Sequence, residues 1–163
     1  MEITRRHITA ALTLLAVIVG AVLLDRWIVT GKERVVRAVE AMTDACRTRD
    51  VEGLFAHISR RYDDGALEYD SLHALAEAFF KLYGPVEARA RHTVVEMNDR
   101  RATADVTIVA RSSDEDLIGT SQWRMDFEKD AAGDWKLVSL TPVEINRQKV
   151  SGWGEVLHIA DLR

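Results

Sequence analysis

From Ile8 to Leu24 the chain reads ITAALTLLAVIVGAVLL, seventeen residues without a charge. At 1.5 Å per residue a helix of that length covers roughly 25 Å, slightly less than a hydrocarbon core of about 30 Å. Asp25 and Arg26 follow, then Trp27, Ile28 and Val29, which carry the apolar character further. Trp27 stands where an interfacial aromatic belongs, and Arg26 is long enough to snorkel. Three readings compete for this segment. A cleaved signal peptide has a passable small-residue site at Val19-Gly20-Ala21, but a cut there leaves Val22-Leu23-Leu24 exposed. A buried helix of a soluble protein conflicts with a run that is apolar on every face. The preferred reading is an uncleaved signal anchor: residues 1–31 form a tail and a single-pass transmembrane segment, with the bilayer as partner through residues 8–29.

Orientation is a balance of charges. Arg5 and Arg6 precede the run, whereas Arg26, Lys32, Arg34 and Arg37 follow it closely, so the positive-inside count does not favour export. A short tail with an Arg pair is the usual form of an export signal, and an extracytoplasmic domain is the expectation. That domain, residues 32–163, is long enough for one core. With 47% hydrophobic and 29% charged residues and two prolines, the whole chain has the composition of a folded protein. Of the net charge of −4, residues 1–31 contribute +1, which leaves the domain at −5. An acidic domain without a basic stripe argues against nucleic acid as partner. Cys46 is the only cysteine, so neither an intrachain disulfide nor a thiolate zinc site can form.

Hydrophobic spacing predicts three helices. Val35, Val36, Val39, Met42 and Cys46 stripe one between Lys32 and Asp50; Asp50 caps a short second with Leu54, Phe55 and Ile58. Ser71 is the expected N-cap of a third, with Leu72, Leu75, Ala76, Phe79, Leu82 and Tyr83, stopped by Gly84-Pro85. The period then changes to two. Val86, Ala88, Ala90, His92 and Val94 alternate with polar residues, as do Ala102 to Ala110, Ser121 to Glu128, and Trp135 to Thr141. Turns fall at Asn98-Asp99-Arg100 and Ala132-Gly133-Asp134. Val143 to Ile145 suggests an edge strand, and Gly152-Trp153-Gly154 a tail docked on the domain. The fold class is α+β: an N-terminal transmembrane helix, then three helices packed on a curved antiparallel sheet of four or more strands.

The entry Arg49-Asp50-Val51-Glu52-Gly53-Leu54, the hairpin VVEMNDRRATADVTIV and the strand-turn-strand WRMDFEKDAAGDWKLVSL resemble the nuclear transport factor 2-like superfamily. That superfamily includes ketosteroid isomerase and the SnoaL-like polyketide cyclases. The resemblance covers roughly Glu33 to Leu140 and implies a sheet curved around helices into a cone whose open end holds an apolar ligand. It specifies fold far better than activity.

An isomerase of the ketosteroid type needs a carboxylate base with a Tyr and a protonated acid as oxyanion donors. Tyr62, Asp63 and Asp64 are the right types, but a solvated turn before Gly65 is the commoner use of such a cluster. Asp105 reads as a surface ion pair with Arg89 or Arg91. His92, on the expected apolar face beside Ala88 and Ala90, is either a ligand-contacting base or a satisfied core histidine. The ligand-binding candidates are His92, Tyr62, Phe79, Tyr83 and Trp123. His57 and His73 share no ligand spacing, and no metal, cofactor or catalytic residue is assigned. Two functions follow: a membrane-anchored, non-catalytic module for a protein partner or a small apolar ligand, or an isomerase or dehydratase using His92 or Asp63 and Asp64. A homodimer through the polar sheet face of Arg89, Arg91, Thr103, Asp105, Thr107, Arg124 and Asp126 is a third expectation, with a wet, charged interface.

Overall fold

The structure, a computed structural model, describes residues 30–82, 86–112 and 118–155. The apolar run, Tyr83, the Gly84-Pro85 stop and the last eight residues lie outside the described residues. Among those described, no helix is long and apolar enough to cross a membrane. Helix α1 spans Gly31–Thr48, α2 Val51–Phe55 and α3 Tyr69–Leu82. Five strands follow: β1 Val86–Met97, β2 Arg101–Ser112, β3 Ile118–Lys129, β4 Trp135–Ile145 and β5 Gln148–Lys149. They form one antiparallel meander in the order β1-β2-β3-β4-β5.

The α1–α2 corner is written locally. Arg49 takes a left-handed φ of 58°, ending α1, and the Asp50 carboxylate accepts the Gly53 N–H at 2.8 Å as the N-cap of α2. A Cβ on Gly53 would sit 2.3 Å from Asp50 Oδ2, so the cap and the glycine require each other. Helix α3 begins two residues before the expected Ser71. The Leu72 N–H reaches the Glu68 carbonyl, and Tyr69 is buried against Phe55, ring centroids 5.2 Å apart, beneath the Arg60 guanidinium. Burying an aromatic ring in the first turn outweighs a serine cap.

One face of α1 (Val35, Ala38, Val39, Met42) packs with Val95, Ala102, Ala104, Val106, Met125, Phe127 and Leu137 in a single core. Ala102 and Ala104 are almost fully buried, and their small side chains let the helix settle close onto the sheet. Irregularities at three places bend the strands. Residues 90 to 93 of β1 pair with 108 to 106 of β2, so β1 carries one extra residue. Two register shifts in the β3–β4 ladder, at Gln122/Trp123 and Asp126/Phe127, curve the far side. Beyond the second, β4 also holds the 57–63 loop, through Leu137 N–H to His57 O, Ser59 N–H to Leu137 O and Asp63 N–H to Val138 O.

The β1 bulge corrects the reading of His92. Strict alternation placed it with Ala88 and Ala90, but the extra residue flips the pattern beyond Ala90. His92 is exposed with φ 40°, Val94 is half exposed, and Val95 takes the core position. Asp105 is indeed in a surface pair, but with Arg124 across the β2–β3 ladder, at 2.9 and 3.3 Å, and not with Arg89 or Arg91. The edge strand expected at Val143–Ile145 is a continuation of β4; Asn146 and Arg147, both at positive φ, turn the chain into β5. Trp153 docks as expected, its indole N–H on the Leu140 carbonyl at 2.8 Å and its ring against Trp123.

Removing the Phe127 ring should therefore cost about 3–5 kcal/mol in Phe127→Ala, and removing the cap about 1 kcal/mol in Asp50→Ala. Urea unfolding of both variants checks the order; equal losses would contradict this assignment of core and cap.

Candidate functional site

Between the second half of α1, the helices α2 and α3, and the inner face of the sheet lies a cavity of about 310 Å³. Val39, Met42, Thr43 and Cys46 line it from α1; Leu72, Ala76, Phe79 and Phe80 line it from α3. Ala88, Ile108, Ala110, Trp123, Met125 and Leu140 supply the sheet side. The space exists because three of these positions, Ala76, Ala88 and Ala110, are alanines where the helix and the strands diverge.

Its polar groups are few and mostly engaged. The Thr43 hydroxyl donates to the Glu40 carbonyl at 2.8 Å, and the Ser121 hydroxyl accepts the Trp123 indole N–H at 2.8 Å. Cys46 is the remaining one, and burial pushes its thiol up to about 11. It therefore stays protonated near neutral pH and behaves as a small apolar side chain. Among the described residues no carboxylate and no imidazole lines the cavity.

The five candidates separate. Phe79 and Trp123 line the cavity. Tyr62 is buried, yet it lies outside the lining, and its hydroxyl donates to Asp64. Burial first, and that carboxylate second, drive the phenol pKa strongly upward, so the ring is a neutral donor. His92 is on the exposed bulge, away from the cavity, and Tyr83 lies outside the described residues. The carboxylates proposed as bases hold a loop instead: Asp64 Oδ1 accepts the Ala66 and Leu67 N–H groups at 3.0 and 2.8 Å, and Asp63 Oδ1 the Gly65 N–H at 2.8 Å. Sequence reasoning missed Cys46 and Thr43 as lining groups, and the available signal was the run of alanines on alternate strand positions.

Among the described residues, the two other histidines lie outside the cavity lining. His73 packs on Phe55 at 4.5 Å and lies 3.9 Å from Glu77. His57 is pulled below its usual pKa by burial and then by Lys136, partly offset by Asp134. Among the described residues no three His, Cys, Asp or Glu side chains are grouped to hold a metal ion.

No protein-family model and no curated protein sequence matches the chain. Solved structures do. A nuclear transport factor 2-like protein of unknown function from Pseudomonas putida superposes with a TM-score of 0.58 at 17% identity, over 72% of this chain and 91% of its own. A proposed scytalone dehydratase from Novosphingobium aromaticivorans gives 0.57 at 15% identity, over 74% and 89%. A protein of unknown function with a cystatin-like fold from Nostoc punctiforme gives 0.59 at 13% identity, over 68% and 88%. At these identities the likeness is one of fold. The α+β domain of this chain shares the fold of these proteins.

Proposed function

We propose that the chain is a membrane-tethered, non-catalytic module whose cone takes up a small apolar ligand. The cavity carries this reading. Its volume of about 310 Å³ lies at the lower end of ligand-holding pockets, about 300–1,000 Å³. Its walls are hydrocarbon, with two hydroxyls already satisfied and a protonated thiol. Such walls reward burial of apolar surface and offer little to orient a polar substrate. A dehydratase or isomerase must move a proton, and that requires a base within hydrogen-bond reach of the substrate. The described part of the lining supplies none, which ranks the enzymatic alternative second despite the scytalone dehydratase likeness in fold. The tether is the apolar run of residues 8–29, whose length and flanking Trp27 suit a signal anchor.

Cys46 makes the uptake measurable. At pH 8 its thiolate fraction should be about a hundredfold below that of an ordinary cysteine, and iodoacetamide should label it correspondingly slowly until the chain is unfolded. A medium-chain alcohol that enters the cone should slow labelling further, and Ile108→Trp, which fills the space, should abolish that protection while thermal melting confirms folding. Labelling indifferent to the alcohol in the wild-type chain would contradict uptake. Separately, the full chain should sediment with membranes and resist alkaline carbonate, while a chain lacking residues 1–30 should remain in the supernatant; carbonate release of the full chain would remove the tether.

A further inference from the structure

Around the first half of α1 this acidic domain carries a basic groove. A groove of about 390 Å³ is lined by Arg34, Arg37, His57, Asp134, Trp135 and Lys136. Arg34 and Arg37 are three residues apart on one helix and so share a face. Neither enters an ion pair among the described residues. Lys136 is fixed beside them by its Nζ donation to the Ala56 carbonyl at 2.8 Å. Three permanent cations thus face one carboxylate, Asp134, over the buried Trp135 ring. A second polar groove provides the contrast: there Arg61 and Arg101 both close on Glu128, at 3.3 and 3.0 Å, and their charge is spent within the fold.

We propose that the Arg34–Arg37–Lys136 groove binds the phosphate of an anionic phospholipid headgroup. Arginine presents a planar fork of donors that matches phosphate oxygens, and a pair of unpartnered forks beside a fixed ammonium is suited to a phosphodiester. The bilayer is the source because of where the groove lies in the chain. Five residues take the chain from Val29, the end of the apolar run, to Arg34, a reach of at most about 18 Å. Basic groups so close to a membrane segment gain from the negative potential of anionic lipid. In this respect the inference rests on the tether reading.

The test uses the full chain in nanodiscs of phosphatidylcholine, alone or enriched in phosphatidylglycerol, with arginine modification by phenylglyoxal read residue by residue by mass spectrometry. Phosphatidylglycerol should slow modification of Arg34 and Arg37 by about fivefold or more while exposed Arg47 and Arg147 stay unchanged. Equal rates in both discs would overturn the proposal. Equal protection in phosphatidylcholine discs given millimolar inorganic phosphate would overturn the lipid as source. If the chain enters neither disc, the tether reading has failed, and vesicle sedimentation then decides the groove alone. Binding to phosphatidylglycerol vesicles that is lost in Arg34→Gln/Arg37→Gln, with circular dichroism unchanged, would sustain it, and no binding to either lipid would refute it.

Discussion

The contact between α1 and the inner face of the sheet governs the rest of the domain. Along its first half the helix lies close, because Val35, Ala38 and Val39 meet a sheet floored by Ala102 and Ala104, and these residues are almost wholly removed from water. Along its second half the same apolar stripe, now Met42 and Cys46, looks toward Ala88, Ile108 and Ala110 across an open space. Helix and strands diverge because the strands bend. The one-residue bulge in β1 and the two register shifts in the β3–β4 ladder curl the sheet, and a straight helix cannot follow the curl over its whole length. Core and cavity are thus two ends of one interface, closed where the fit is good and hollow where it is not.

The same geometry explains why the cavity is poor in chemistry. Along the cavity the strands present Ala, Ile, Met and Trp with Ser121, whereas Asp105 and Arg124 pair across the ladder on the outer face. The acidic loop at residues 62–67 is tied to its own backbone, and its buried tyrosine serves that loop. The carboxylates of that loop are therefore spent on a turn, and Asp105 on a surface pair. Among the described residues, what lines the inside is an apolar volume.

Much of this was legible in the sequence where local chemistry decides the outcome. The Asp50 cap with Gly53, the turn at Gly133 and the docking of Trp153 are each written in a few adjacent residues. So is the α+β order of helices followed by a meander. The errors arose where long-range contacts override the local pattern. No residue near Arg91 signals the bulge that turns His92 outward, because a bulge is set by pairing with β2 as much as by its own sequence. The start of α3 at Tyr69 depends on Phe55 and Arg60, which lie in other segments. The cavity was foreshadowed by the resemblance to the cone superfamily, and among the residues by small side chains such as Ala88 and Ala110, since a void is defined by what several distant elements fail to fill.

The central claim is that the cone holds apolar ligand between α1 and the sheet, and three methionines are placed to test it. Met42 and Met125 line the cavity, whereas Met97 stands outside it at the end of β1. Methyl NMR of the chain labelled at the methionine ε-carbon, titrated with a medium-chain alcohol, reads all three at once. The account predicts saturable shifts of the Met42 and Met125 methyls with Met97 unmoved. Shifts confined to Met97, or no saturable shift at any of the three, would contradict it.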